Sequence, residues 1–261
     1  MKKQRVDLLL VARGLAESRS LAQRLVMAGQ VRAAGQVVAK PSDTFDESVV
    51  LEVVQGPKYV SRGGEKLEAA FGAFALDVRD LTCADVGAST GGFTDCLLQY
   101  GAARVIAIDV GNGILHWKIR QDTRVVVMEG QNARHLERLP EPVAFITVDA
   151  SFISLKTLLP VLKGWYGEGG GQMLALVKPQ FEAGQKETAR GKGVIRDPLI
   201  HRRVLEEVLA FAEGAGYAML GLVQSPVLGP KGNVEFLLWL GVSAGDGQTI
   251  ETLLAAVQPT V

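Results

Sequence analysis

Asp85-Val-Gly-Ala-Ser-Thr-Gly-Gly-Phe-Thr-Asp95 is the stretch on which the reading of this chain turns. The apolar run Leu81 to Val86 reads as a buried strand, and Gly92 to Tyr100 as the helix that follows it. A second strand, Arg104 to Ile108, ends in Asp109. Strand, glycine-rich loop, helix, strand and acid, in that order, open a nucleotide-binding α/β fold. Gly87, Gly91 and Gly92 admit unusual φ values and leave room for a ligand against the backbone. Asp109 can accept hydrogen bonds from both hydroxyls of a ribose. The glycines alone do not name the ligand. Ala88 stands where the dinucleotide fingerprint needs its second glycine, and no Lys-Ser or Lys-Thr follows to make a phosphate loop. A tight turn with no ligand fits them too, so the rest of the chain has to decide.

The chain has 261 residues, enough for one large domain or for a medium domain plus a small one. At 48% hydrophobic residues it can bury a sizeable core. Its net charge is zero, but the charge is uneven. Between Met1 and Lys40 the bases Lys2, Lys3, Arg5, Arg13, Arg19, Arg24, Arg32 and Lys40 face only Asp7 and Glu17. The two cysteines, Cys83 and Cys96, form no framework and read as core residues of a protein in the reducing cytoplasm. His116, His135 and His201 are scattered and stand at no metal-ligand spacing, so no metal is expected. No signal peptide is visible, and no apolar run approaches the ~18 residues that a membrane span needs.

Residues 1–57 read as a small domain. A helix Val6 to Ala12 stops near Gly14, and Ser18 caps a second helix, Arg19 to Ala28, that ends at Gly29. Two short strands, Gln30 to Ala33 and Gln36 to Ala39, flank an Ala34-Gly35 turn. Lys2, Lys3, Arg5, Arg19 and Arg24 then make a basic face, suited to phosphates or simply solvated. The run Arg5-Val-Asp-Leu-Leu-Leu, Gly14-Leu, Ser18-Arg19, Ala22, Leu25-Val26, Gly29-Gln-Val-Arg and Gly35-Gln-Val-Val-Ala-Lys-Pro41 resembles the S4 RNA-binding fold throughout. That resemblance implies binding of structured RNA through the basic helix pair.

Residues 58–64 read as a linker, 65–245 as the larger domain and 246–261 as a tail. Glu65 to Phe74 is an amphipathic helix with Lys66 in its first turn, an awkward place for a cation beside the positive end of the helix dipole. Strands at Arg124 to Met128, Val143 to Val148 and Gln172 to Val177 continue the α/β rhythm. A helix Ile200 to Gly214 follows, capped by Asp197 with Pro198 in its first position. Tyr217 to Ser225 and Val234 to Leu240 are expected as antiparallel neighbours at one sheet edge. Trp117, Trp165 and Trp239 could stack on bases but read first as packing residues.

Three polar residues stand at ends of apolar strands: Asp149, Lys178 and Glu235. Ligands of open α/β sheets bind beyond the carboxyl ends of the parallel strands. Asp149 and Lys178 should converge there, and Glu235 joins them if its strand runs antiparallel. Lys66, Asp149, Lys178 and Glu235 match, in order and strand context, the Lys-Asp-Lys-Glu set of FtsJ-like RNA 2′-O-methyltransferases. Ser61-Arg-Gly-Gly-Glu-Lys66, Asp149-Ala-Ser-Phe-Ile-Ser154, Val177-Lys-Pro-Gln-Phe-Glu182 and Gly191-Lys-Gly-Val-Ile-Arg-Asp197 resemble blocks of the TlyA family, which joins an S4 domain to such a methyltransferase. Ser89-Thr90 and Ala150-Ser151 depart from the wider FtsJ class and fit TlyA.

The resemblance implies a Rossmann-like α/β methyltransferase domain behind a small α+β S4 domain. It implies S-adenosylmethionine as cofactor and ribose methylation of cytidine in 16S or 23S ribosomal RNA, within ribosomal subunits. Asp85, Gly87, Ala88, Ser89, Thr90, Gly91, Gly92, Phe93, Thr94, Asp109, Val110 and Asn132 would hold the cofactor. Lys66, Asp149, Lys178 and Glu235 would carry the chemistry. A ribose hydroxyl is a poor nucleophile at neutral pH, and a lysine can serve as its base only when partly neutral. Lys178 is the candidate base or hydroxyl-orienting group, with Lys66 supplying a second positive charge. Gln180 to Arg196 is long for a connection and carries Lys186, Arg190, Lys192 and Arg196; with Arg62 these read as RNA contacts on a lid. A monomer or weak homodimer is expected. The rival readings are a membrane-active hemolysin and an RNA-binding assembly factor with a silent methyltransferase domain.

Overall fold

A computed structural model describes residues 3–54, 56–243 and 247–257, which divide into two compact units, Met1–Lys58 and Tyr59–Val261. The first unit runs β1 (Lys3–Arg5), α1 (Val6–Ala12), α2 (Arg19–Met27), β2 (Val31–Ala33), β3 (Gln36–Val37), β4 (Thr44–Asp46) and β5 (Leu51–Val53). Ser18 caps α2 by accepting the Leu21 N–H, and Gly29 takes a φ of +67° just past its end. The apolar faces of α1 and α2 bury Val6, Leu10, Ala22 and Val26 against Val31 and Leu51. β1, β4 and β5 were not foreseen: each has three residues, too few to show an alternating pattern.

The second unit begins α3 (Gly63–Ala73), β6 (Thr82–Val86), α4 (Gly92–Gln99), β7 (Arg104–Asp109), α5 (Trp117–Arg120), β8 (Val125–Glu129) and β9 (Phe145–Val148). It continues with α6 (Leu155–Leu162), β10 (Gly171–Val177), α7 (Pro179–Glu182), α8 (Gln185–Arg190), α9 (Pro198–Gly214), β11 (Ala218–Gln224), β12 (Phe236–Val242) and α10 (Ile250–Ala256). The seven strands lie in the order β11-β12-β10-β9-β6-β7-β8. The pairs from β10 to β8 are parallel, and β12 runs against both of its neighbours. The late strands are therefore antiparallel at one edge, as expected from sequence.

Alternation along each strand sends side chains to two faces. Cys83, Val105, Phe145, Leu174 and Leu237 pack with Leu67 of α3 and Leu97 of α4. Ala84, Ile106, Ile146, Met173 and Leu238 pack with Leu159 of α6, Val208 of α9 and Leu253 of α10. Both cysteines are buried, and burial pushes the Cys83 thiol up to about 12. Trp165 lies in the core and donates its Nε1–H to the Leu136 carbonyl. Trp117 is 67% exposed.

Three segments differ from the sequence reading. The expected tail, 246–261, contains α10, capped by Thr249 accepting the Thr252 N–H, with Leu253 and Leu254 buried. The pattern Thr249-x-x-Thr252 with Ile250, Leu253 and Leu254 was a readable amphipathic signal. The expected linker, 58–64, is not a free connection: Tyr59 is buried in the second unit and α3 starts at Gly63. The Gln180 to Arg196 stretch is partly helical, in α7 and α8. Residues 244–246 and 258–261 lie outside the described residues, as does Lys2.

Removing a buried leucine leaves a cavity that its surroundings fill only in part. Leu253→Ala should lower the unfolding free energy by about 2–5 kcal/mol, read as a lower urea midpoint at unchanged slope. A midpoint equal to that of the unaltered chain would mean α10 contributes nothing to the core.

Candidate functional site

The strand registers bring the site together before any side chain is considered. Val86 of β6 pairs with Val148 of β9, Val148 with Ala175 of β10, and Val177 of β10 with Phe236 of β12. The residues following β6, β9 and β10, and those preceding the reversed β12, thus share one edge. Gly87, Asp149, Lys178 and Glu235 are those residues.

The glycine-rich loop is shaped by packing at two positions. Gly87 has a φ of +81°, and a Cβ there would stand 2.7 Å from the Asp149 carbonyl oxygen. Gly91 has a φ of +95°, and its Cβ would meet Leu115 at 2.9 Å. Asp109 closes the loop from the next strand: Oδ2 accepts the Ser89 N–H at 2.8 Å and Oδ1 the Gly111 N–H at 2.7 Å. Each oxygen keeps a lone pair for a further donor.

Two clefts open on this edge. One is lined by Gly87, Ser89, Asp109, Val110 and Asn132, with apolar walls from Ile108, Ile114, Ala133 and Leu158. An apolar slot with an acid and an amide at its rim suits an adenosine-sized group. The other is lined by Ser61, Arg62, Lys66, Ala88, Thr90, Gly92, Phe93, Lys178 and the loop Val227–Pro230. Gly87, Ser89, Asp149 and Ser151 line both, so they form the shared wall.

The four expected catalytic residues form two ion pairs. Lys66 Nζ lies 2.5 Å from Glu235 Oε2, and Lys178 Nζ lies 2.6 Å from Asp149 Oδ1. Both lysines are buried, and Glu235 is fully so. A buried ion is tolerated when its charge is met and its remaining hydrogen bonds are made. Glu235 explains the cation in the first turn of α3. Its second oxygen, Oε1, accepts from Gln180 Nε2 at 3.2 Å. A Cβ on Gly229 would stand 2.1 Å from that oxygen, so Gly229 leaves the carboxylate its space.

Three residues expected at the cofactor, Asp85, Gly91 and Thr94, line neither cleft. Asp85 is fully buried and accepts from Thr94 Oγ1 at 2.6 Å and Thr147 Oγ1 at 3.0 Å. It ties β6 to α4 and β9. Burial pushes its carboxyl up to about 6, against the pull of the two hydroxyls. Ala88, Thr90, Gly92 and Phe93 line the second cleft rather than the first. Sequence reasoning missed Gln180, Ser151, Thr147 and the 227–230 loop. Gln180 and Ser151 each lie two residues from a named strand-end group and inside the blocks that resemble the TlyA family, which were the local signals.

The basic residues are placed as follows. Asp7, fully buried, accepts both Nε and Nη2 of Arg5 and also Nε of Arg19 and Nε2 of Gln23. The Arg5 fork, with help from Gln23 and Arg19, holds the Asp7 carboxyl well below the usual carboxylate range. Two guanidiniums on one carboxylate leave a net positive charge, and the side chains stay 39% and 54% exposed. Lys3 and Arg24 are exposed on the same unit. Arg62 lines the second cleft, and Lys186, Arg190, Lys192 and Arg196 are exposed on the second unit. Among the described residues no three of His, Cys, Asp or Glu group as metal ligands, and no helix is long and apolar enough to cross a membrane.

This sheet, with its paired lysines at the edge of a glycine-rich loop, places the larger unit among the α/β methyltransferases. The chain belongs to the FtsJ-like methyltransferase family, which residues 59–242 match, and residues 4–51 match the S4 domain. A Mycobacterium tuberculosis protein named 16S/23S rRNA (cytidine-2′-O)-methyltransferase TlyA is 45% identical over 92% of this chain and 90% of its own length. A solved Streptococcus thermophilus structure with a hemolysin designation is 44% identical, covers 98% of this chain and 95% of that one, and has a TM-score of 0.72. A solved Listeria monocytogenes structure described as an S-adenosylmethionine-dependent methyltransferase shares the fold at 13% identity and a TM-score of 0.53, over 70% of this chain and 99% of that one.

Asp85 sets a pH dependence of stability. A carboxyl raised to about 6 when folded, from 3.8 when exposed, binds its proton more tightly in the native state. Its contribution is therefore lost as pH rises through 6 and gained as pH falls. From pH 7.5 to pH 5, the unfolding free energy should rise by on the order of 1 kcal/mol relative to Asp85→Asn, measured by urea unfolding of both proteins. A constant difference would show that Asp85 titrates normally.

Proposed function

We propose that this chain transfers a methyl group from S-adenosylmethionine to a ribose 2′-hydroxyl, on cytidine, in ribosomal RNA of the small or large subunit. The observation that carries this reading is the shared wall: a nucleoside-sized cleft and a second, polar cleft meet at Asp149, which holds the Lys178 amine. S-adenosylmethionine supplies an electrophilic methyl on a sulfonium sulfur when bound. Asp109, Val110 and Asn132 would hold its nucleoside.

The chain's own residues then act on the acceptor. Arg62 and the 227–230 loop admit the ribose. A carbon–oxygen bond forms as the carbon–sulfur bond breaks, the sulfur keeps the electron pair, and the 2′-hydroxyl loses its proton. Lys178, on the shared wall, would orient that hydroxyl with an N–H released from its present acceptors, or take the proton once it is neutral. Glu235 and Asp149 balance the two lysines, so the site adds little net charge of its own. The first unit would grip structured RNA through Arg5, Arg19, Arg24 and Lys3. Ribosomal subunits as substrate place this work in the cytoplasm.

Tritiated methyl transfer to purified subunits and intact ribosomes tests the reading. The unaltered protein should label ribosomal RNA, and Lys178→Ala should lower the rate by about 10²- to 10⁴-fold. A protein that binds the cofactor yet labels no ribosomal RNA would leave an assembly factor instead. For the first unit, Arg19→Gln should make the slope of log affinity against log salt shallower by about 1, with kcat unchanged. An unchanged slope would remove Arg19 from the phosphate contacts.

A further inference from the structure

Ser151 stands where the two clefts meet. It is exposed and lines both clefts, two residues after Asp149. Its hydroxyl oxygen accepts a hydrogen bond from Lys178 Nζ at 3.1 Å.

The protons of Lys178 can be counted. An ammonium has three N–H groups. Their acceptors are Asp149 Oδ1 at 2.6 Å, Ser151 Oγ at 3.1 Å and the Asp149 carbonyl oxygen at 3.3 Å. Two of the three belong to one residue. Ser151 supplies the one acceptor that comes from a different residue.

We propose that Ser151 is a positioning residue of the methyl-transfer centre, fixing the Lys178 amine on the wall between the cofactor and acceptor clefts. The role rests on the proposed function for its chemistry and on the hydrogen-bond geometry for its mechanism. Small displacements of a group that must meet a reacting atom cost rate rather than binding. Ser151 acts through Lys178, so its loss should leave both ligands bound as before.

The test compares Ser151→Ala with Ser151→Thr, which keeps the hydroxyl, in full-length protein. With ribosomal subunits as acceptor, Ser151→Ala should lower kcat by about 10- to 100-fold, with KM for RNA and for cofactor held to within about twofold. Ser151→Thr should recover most of kcat. Unaltered kcat in Ser151→Ala, an equal loss in both variants, or a loss confined to KM would overturn the proposal.

A second readout needs no methyl acceptor. In protein carrying ¹⁵N-lysine, the Lys178 ammonium resonance, assigned by its absence from Lys178→Gln, should be sharp in the unaltered chain and in Ser151→Thr. In Ser151→Ala it should broaden and exchange faster with water. A resonance missing from the unaltered chain, or the same in Ser151→Ala, overturns the proposal. A Ser151-dependent resonance in a protein that methylates no ribosomal RNA would sink the proposed function and leave the positioning role standing.

Discussion

The buried ion pair between Lys66 and Glu235 holds the larger unit to its architecture. An ammonium and a carboxylate withdrawn from water are tolerable only in contact and with their other hydrogen bonds made. Here the contact joins α3, the first helix of the unit, to the start of β12, its last described strand. Glu235 can reach Lys66 because β12 runs against β10, which puts its beginning, rather than its end, at the edge where β6 and β9 finish. Gln180 and the bare backbone of Gly229 complete the surroundings of the carboxylate. Removing one partner would strand the other charge, so each constrains where the rest of the edge can lie.

A second constraint works behind the loop. Asp85 spends its oxygens on Thr94 and Thr147. It fixes the end of β6 against both α4 and β9, and so sets the spacing between Gly87 and Asp149. That spacing is tight enough that a methyl group at Gly87 would collide with the Asp149 carbonyl. The shared wall is thus made by backbone packing, with Asp109 anchoring its far side. Side chains that look alike in sequence divide into two roles here: some face a cleft, and others hold the facing ones in place. Asp85 and Asp109 are both acids at strand ends, and one vanishes into the core while the other reaches the rim.

Much of this was legible from residues. The run Asp85 to Asp95, the three strand-end charges Asp149, Lys178 and Glu235, and the capping residues Ser18 and Asp197 each carry a local signal, and each lies where it was read. The helix α10 was legible too, since Leu253 and Leu254 follow a cap at helical spacing, but a polar run before it disguised it as a tail. The strands β1, β4 and β5 were not, because three residues cannot establish a period. Gln180 and Ser151 were hidden for another reason. An amide and a hydroxyl are common on surfaces, and only a partner 55 or 27 residues away gives them meaning.

The sequence by itself determined the fold class, the two-part organisation and the identities of the paired charges, because apolar periodicity and strand-end polarity are local properties of a chain. Tertiary structure decided which lysine meets which carboxylate, which loop residues face a ligand and which are buried behind it, and that Asp7 gathers Arg5 and Arg19. In the larger unit these depend on strand direction and register, which bring together side chains up to 169 residues apart; in the smaller one the packing of two helices brings Arg19 to Asp7. No local pattern encodes that distance.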